Sequence, residues 1–567
     1  MNFSSEKTSK AVKIAVNILI ITGLCSALLF IPQIRNLLIL LGEKLIGRPL
    51  NHEAWHSLFL EVETALFCFI CICVLSYYAA TSKKFEKIEM RFYAVFSWIF
   101  VVLSSIALIV LACQSRDVWV DETFSLGMVT HPLWEIVTLT AKDCHPPLYY
   151  FILKIAMTIF PGSVSAAKIV SAIPVILILC IANLFFKKEF SYKHGLLFNA
   201  LLLSINVVMV HAIDIRMYTW CMLFCFLCCL CTYYIHKKGE LKYFLLFVLF
   251  AECGAWSQYW TAFGLAINFV LISILCLSKD KKSLKYILIS AALGILLYLP
   301  WAKAVLSQFK TVSKDFWISP VTFATVKGYI LSLIPLEGKY KIIMCLLLLF
   351  CMITASIKLF QKDNEAAFDI ICVASPFLLI SCALAITFLV RPLFLYRYGL
   401  PLCVFVIFFI ARRVTQLKYQ KFITAFLILA SLLCFTRNYI SNFKCERKTN
   451  QNHTAFEKMM SENLTEDTVF IFGDNIHFHL PLCLAYSYPK NKMYESSRPE
   501  SWDLNLWTSV YNYNPKDLIT DLEGETDLCF IANHGNTVPD KFKDADCYSA
   551  VPYYYFPMMD FYFKKGK

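Results

Sequence analysis

Glycine is scarce in this chain. It accounts for only 17 of 567 residues, and no G-x-G-x-x-G run occurs, which excludes the phosphate-cradling turn of a dinucleotide-binding fold. Charge is thin as well. Asp, Glu, Lys and Arg make up 16% of the chain, against about a quarter in soluble domains. No internal repeat stands out, which argues against the inverted-repeat architecture of many transporters. The first apolar run, residues 11–32, lacks a small-residue cleavage site, so it reads as a first membrane helix and not as a removed leader.

Apolar sequence is abundant. Hydrophobic residues make up 58% and the mean hydropathy is +0.60, too apolar for a soluble globule and in line with a polytopic membrane protein built of helices. Thirteen crossings are expected, near 11–32, 57–79, 92–113, 166–186, 196–210, 216–236, 241–258, 261–277, 284–300, 341–360, 367–390, 398–411 and 422–436. The 24 cysteines scatter through these runs as small apolar filler, not as a disulfide framework.

The charge is unevenly distributed. Residues 437–567 carry 14 Lys and Arg against 18 Asp and Glu, a net −4, whereas the rest carries 39 against 22, a net +17. The basic excess lies in short connections such as "TSKKFEKIEMR" and "ARRVTQLKYQK". Positive-inside bias puts these in the cytoplasm; they are not a nucleic-acid footprint. The N-terminus is then cytoplasmic, and segments 114–147, 211–216, 256–260, 301–340 and 391–397 lie outside together with the tail. Parity leaves no room for a crossing at 146–160, which is expected as a short helix near the outer surface.

Three parts follow. Residues 1–91 hold an extra helix pair and a basic loop, and residues 92–436 form the main membrane module. Residues 437–567, with strand-like "TVFIF" and "DLCFIAN" runs, form a small α/β domain. The fold expected is thus an all-α membrane bundle of about 13 spanning helices plus juxtamembrane helices, with a C-terminal α/β domain outside.

Polar chemistry collects in "RDVWVDETFSLGMVTHPLWEIVTLTAKDCHPPLYY", residues 116–150. Asp121 and Glu122 are adjacent, so on a helix they point about 100° apart; one enters a shared site and the other anchors the loop. Asp143 and His145 follow, ahead of a stiff Pro146-Pro147 pair. Asp214, Arg216 and Tyr218 sit in "HAIDIRMY", and Arg391 and Arg397 in "RPLFLYRY". Ionisable groups from separate segments gather on one face, the pattern of a functional site in a membrane protein. Glu252 stands apart, inside an expected crossing.

These motifs carry a resemblance. "VWVDETFS…HPLWEIV…DCHPPLYY", "HAIDIRMY", "LLYLPWAKAVLSQFKTVSKDFWI" and "RPLFLYRYGLPL" occur in the order found in the C-type (GT-C) integral-membrane glycosyltransferases. The branch resembled is that of protein O-mannosyltransferases and aminoarabinose transferases, over residues 92–436. Two features depart from it: the extra helix pair before residue 92, and "WSQYW" at 256–260 where many relatives have a histidine.

The resemblance implies a polyprenyl-phosphate sugar as donor, which suits an outer site because nucleotide sugars stay inside the cell. An extracytoplasmic hydroxyl would attack the anomeric carbon with inversion, as in a hexosyl- or pentosyl-transferase. Asp121 is expected as the base, with Glu122 and Asp143 also in the catalytic set. Arg216, Arg391 and Arg397 are expected on the donor phosphate. His145, Tyr149, Asp214, Tyr218, Trp301 and Gln308 are expected around the substrates. Some relatives are metal-associated, and a divalent ion here would use Asp143 and His145. The acceptor expected is a cell-envelope glycan or lipid; a protein acceptor and a lipid or sugar flippase are the alternatives.

Overall fold

The computed structural model describes residues 83–567, apart from short stretches between 315 and 555 (the longest at 496–509, 511–515 and 518–526) and Lys567, and a few positions within 36–43. The expected crossings at 11–32 and 57–79, and with them nearly all of the 1–91 segment, lie outside the described residues.

The helices in chain order are α1 (Lys83–Gln114), α2 (Val120–Met128), α3 (Leu133–Thr140), α4 (Leu148–Ile159), α5 (Val164–Glu189), α6 (Tyr192–Leu203), α7 (Asn206–His211), α8 (Tyr218–Lys238), α9 (Leu241–Ala255) and α10 (Tyr259–Lys279). They continue with α11 (Ser283–Tyr298), α12 (Ala302–Val312), α13 (Phe323–Ser332), α14 (Lys339–Phe360), α15 (Asn364–Leu389), α16 (Tyr396–Gly399), α17 (Cys403–Val414), α18 (Gln420–Asn463) and α19 (His479–Ser487). Among the described residues, eight helical stretches are long and apolar enough to cross a membrane. The protein is a multi-pass membrane protein.

The difference from the expected count has a physical source. Three expected crossings, at 196–210, 241–258 and 398–411, fall on α6, α9 and α17, of 12, 15 and 12 residues, each under the ~20 of a straight span, although α17 continues the helical turns of 396–402. Every residue of α17 is buried, so protein, not lipid, surrounds it. Apolar composition there reports the bundle interior. The 146–160 run forms the 12-residue α4, the short helix expected there. α4 buries Tyr149, Tyr150 and Leu153 on one side and leaves Ile155 and Ile159 exposed on the other.

Local signals place the ends of the helices. Ser163 accepts from the Ala166 N–H at the start of α5, and Gln258 accepts from the Thr261 N–H at the start of α10, caps that satisfy orphan helix donors. α8 ends in His236, Lys237 and Lys238 before Gly239 at φ +63°, a left-handed position suited to glycine. At that end of the bundle, Arg412 pairs with Asp369 at 2.8 Å and with Glu365 at 3.0 Å, and His236 meets Glu365 at 3.0 Å. This network ties α8, α15 and α17 together at the end remote from the polar loop.

α18 departs most from expectation. It runs 44 residues without a break, through the apolar 422–436 run and on into the polar tail. The tail then forms a six-stranded sheet, β1 (Val469–Phe472), β2 (Met493–Glu495), β3 (Lys516–Asp517), β4 (Leu528–Asn533), β5 (Asp546–Ala550) and β6 (Met559–Lys564). The strand order is β3-β2-β1-β4-β6-β5. β1 is parallel to β2 and β4, and β6 is antiparallel to β4 and β5. The two strands expected from sequence are the adjacent central pair β1 and β4. Phe456 on α18 packs its ring on Tyr553 and Phe561 at 5.6 and 5.5 Å, fixing the helix to the sheet domain.

Candidate functional site

The polar loop folds as α2 and α3 beneath the sheet domain, and its two adjacent acids separate as helix geometry requires. Glu122 turns inward. It is 1% exposed and accepts from the Trp119 N–H at 3.1 Å and the Ile215 N–H at 2.9 Å. Lys168, on α5, lies 3.2 Å from it and also donates to Ser115 at 2.7 Å. Burial pushes the Glu122 carboxyl up to about 7, against the pull of Lys168. Glu122, expected in the catalytic set, has both oxygens engaged and ties the loop to the 214–216 segment.

Asp121 turns toward the other side. Its Oδ2 lies 3.5 Å from Arg397 Nη1, and the Asp121 side chain keeps 18% of its exposure. Arg216, 4% exposed, donates from Nη1 to the Asp121 carbonyl and to Ser125 Oγ, both at 3.3 Å. Its Nε has no protein partner. The Arg397 guanidinium lies 5.9 Å from the Trp119 ring and 5.8 Å from the Tyr218 ring, within cation–π range. Asp214 is held by the Trp119 indole N–H at 2.9 Å and His211 Nδ1 at 2.8 Å. Although burial works against the charge, these bonds keep its carboxyl below the usual range.

Asp143 and His145 meet at 3.3 Å, with Cys144 Sγ 3.2 Å from the same Nδ1. One ligand atom from each of the three residues falls within a 4.8 Å group. Burial lowers the affinity of His145 for a proton, while the His145 and Arg216 charges outweigh burial at Asp143 and hold its carboxyl down. A relay then runs outward. Trp301 Nε1 donates to Tyr259 OH at 2.9 Å, Tyr259 OH donates to Gln308 Oε1 at 2.5 Å, and Gln308 Nε2 donates to the Thr140 carbonyl at 2.8 Å. This relay ties α12 to the polar loop.

Two cavities flank the 391–398 segment. One of about 250 Å³ is lined by Cys144, His145, Tyr259, Gln308 and Tyr398, with apolar walls from Phe263, Ile386 and Leu393. The other, about 580 Å³, is lined by Tyr396, Lys341, Arg437, Asn206 and Asn438 among others. Tyr396 and Tyr398 thus face different cavities with Arg397 between them.

The structure therefore brings Asp121, Arg216, Arg397, Asp214 and Tyr218 together, with Asp143 and His145 electrostatically coupled to Arg216 and Asp121. Arg391 is half-buried at the start of its segment. Tyr149 is 1% exposed and packs edge-on against Tyr150, inside the core. Trp301 acts through Tyr259 in the relay. Sequence reasoning missed Trp119, Lys168, His211 and Tyr259. A lysine inside an apolar run was the one available signal among them.

ArnT from Cupriavidus metallidurans in the apo state aligns over 82% of this chain and 98% of its own, at 9% identity and TM-score 0.56. ArnT from the same organism bound to undecaprenyl phosphate aligns over 82% and 97%, at 10% identity and TM-score 0.55. The chain has the C-type glycosyltransferase fold. The C-type assignment extends to the sequence over residues 144–302, which match the family of dolichyl-phosphate-mannose-protein mannosyltransferases. That stretch begins at Cys144 and ends at Ala302, so it includes the 211–218 motif, Tyr259 and Trp301 but neither Gln308 nor Thr140. No curated protein matches the chain.

Proposed function

We propose that this protein is a membrane glycosyltransferase that moves a sugar from a polyprenyl-phosphate donor to a hydroxyl of an acceptor on the far side of the membrane from the cytosol. The observation that carries this reading is the pairing of Asp121 with Arg397 beside an apolar cavity. It sets a partly exposed carboxylate against a cation, where a proton must be removed and a phosphate must depart. The resemblance of the fold to a protein captured with undecaprenyl phosphate supports the donor class.

The donor's phosphate takes the place of the Asp121 carboxylate at Arg397, with Arg216 close behind. Arginine suits this task because its planar fork matches phosphate oxygens. Displaced from Arg397, Asp121 takes the acceptor hydroxyl proton. The acceptor oxygen bonds to the anomeric carbon as the bond to phosphate oxygen breaks, and the phosphate leaves with the electron pair. One displacement inverts the anomeric centre. General-base help of this kind contributes about 10²–10⁴-fold, and fixed cations stabilise the leaving charge. The apolar cavity on the Tyr398 side takes the lipid-proximal part of the donor. The larger cavity on the Tyr396 side, with its amides and cations, takes the acceptor, a cell-envelope glycan or lipid.

A divalent ion in this site would be held by Asp143, Cys144 and His145, which offer carboxylate, thiol and imidazole donors of the kinds zinc accepts. It would add Lewis-acid polarisation; no step above depends on it. The deciding experiment offers the purified protein a panel of radiolabelled polyprenyl-phosphate sugars with an envelope lipid extract. Consumption of one donor with label in the lipid is expected. Inertness toward every donor, with nucleotide sugars consumed, would overturn the reading.

A further inference from the structure

A third cavity lies away from the site just described. A groove of about 460 Å³ runs between α9, α10 and α11. Its walls are mostly apolar, and two residues lining it, Ile295 and Leu299, are 70% and 60% exposed, so it opens toward the lipid. Into this groove comes the carboxylate of Glu252. Trp256 donates to the carboxylate, but its Oε2 has no partner, and no cation pairs with it among the described residues. The Tyr298 hydroxyl and the fully buried Ser290 hydroxyl along the same groove are unpartnered too.

Glycine keeps the carboxylate accessible. A Cβ at position 294 would stand 3.5 Å from Glu252 Oε1 and 3.7 Å from Val248 Cγ1, so any side chain beyond alanine would fill the space in front of it. Depth is fixed as well. Glu252 lies one turn before the end of α9, where the Trp256 carbonyl accepts from Leu148 N–H at 3.0 Å, so this is the end of the bundle that bears the polar loop. Trp256 lies edge-on to Tyr298 at 5.8 Å and tilted against Trp301 at 5.5 Å, an aromatic cluster of the kind found at headgroup depth.

A half-buried carboxylate without a cation is costly to keep charged. The surroundings specify what would relieve it: a positive group able to sit among aromatic rings, to donate several hydrogen bonds, and to trail hydrocarbon along an apolar groove facing the bilayer. A primary ammonium has three N–H donors and so can serve both Glu252 Oε2 and the Tyr298 oxygen. We propose that this groove holds a membrane phospholipid by its primary ammonium headgroup, with Glu252 as the counter-ion and the acyl chain lying along α11. The site is separate from the transfer chemistry.

The test is native mass spectrometry on the purified full chain in detergent, with phosphatidylethanolamine or phosphatidylglycerol added at equal concentration. Phosphatidylethanolamine is expected to be retained about tenfold better, a difference of about 1.4 kcal/mol. That preference should vanish in Glu252→Gln. Gly294→Leu, which fills the groove and leaves the carboxylate in place, should remove it too, and it decides the matter should the first variant fail to fold. Equal retention of the two lipids by the unmodified protein, or an undiminished preference in the folded variants, overturns the proposal. Because the readout is lipid retention, the result is independent of the transferase reading.

Discussion

Arg397 Nη1 lies 3.5 Å from Asp121 Oδ2, although 276 positions separate them in the chain. In the proposed transfer, a substrate phosphate would compete with Asp121 for the guanidinium and free the carboxylate to act as a base. On that proposal, release of the base would be coupled to arrival of the donor.

Asp121→Asn should therefore cost about 10²–10⁴-fold in turnover while donor binding persists. Steady-state transfer assays alongside lipid-phosphate binding measure both quantities. Full activity in this variant would remove Asp121 from the mechanism.

Arg397→Lys keeps the charge but loses the fork geometry and the ring stacking, so it should weaken donor binding and slow transfer together. Arg397→Ala should do so more severely. Titrating polyprenyl phosphate as a competitive inhibitor against each variant checks this; unaltered inhibition would place the phosphate elsewhere.

Glu122 predicts a pH signature. Its folded carboxyl is raised from the ordinary 4.5 to about 7 by burial. The folded state therefore binds this proton more tightly than the unfolded chain does. The stability it contributes is fully present below about pH 4.5 and is lost as pH rises through 7. Glu122→Gln should flatten that part of the melting-temperature profile, although the variant is less stable throughout because Lys168 loses its partner. An unchanged slope between pH 5 and 7.5 would show that Glu122 does not titrate there.

Chelation tests the Asp143, Cys144 and His145 group. With an ion in place, thorough stripping should abolish transfer, zinc should restore it, and Cys144→Ser should weaken metal retention measured by elemental analysis. Undiminished activity after stripping would eliminate the ion.

Sidedness can be read by labelling. Cysteines introduced at exposed positions of the sheet domain, such as Asp540 and Lys543, should react with a membrane-impermeant reagent added outside intact cells. Labelling only after permeabilisation would invert the topology and remove the argument for a lipid-linked donor.

The sequence made the site legible where polar residues interrupt apolar runs: Asp121, Asp143, Asp214, Arg216 and Arg397 all announced themselves in that way. It did not reveal which of two adjacent acids points outward, because that depends on the phase of α2 against the 214–216 segment. The partners Trp119 and His211 were hidden because an indole and an imidazole at a membrane rim are commonplace until Asp214 is seen between them. The membrane helices were legible by hydropathy where they face lipid. α6, α9 and α17 are shorter than the crossings expected at their positions, which hydropathy does not report, because burial in protein and burial in lipid select the same side chains. The end of α18 was missed for the opposite reason: composition turns polar at residue 437, whereas helical hydrogen bonding continues to Asn463.

That unbroken helix carries a mechanical consequence. At 1.5 Å per residue, 44 residues make a rod of about 66 Å. Halfway along its polar half, Asn450 accepts from the Arg116 N–H at 3.0 Å and His453 stands 3.5 Å from Asp117, both at the threshold of the segment bearing Asp121. A tilt of the rod would therefore pull directly on residues 116 and 117, within one helical turn or so of Asp121.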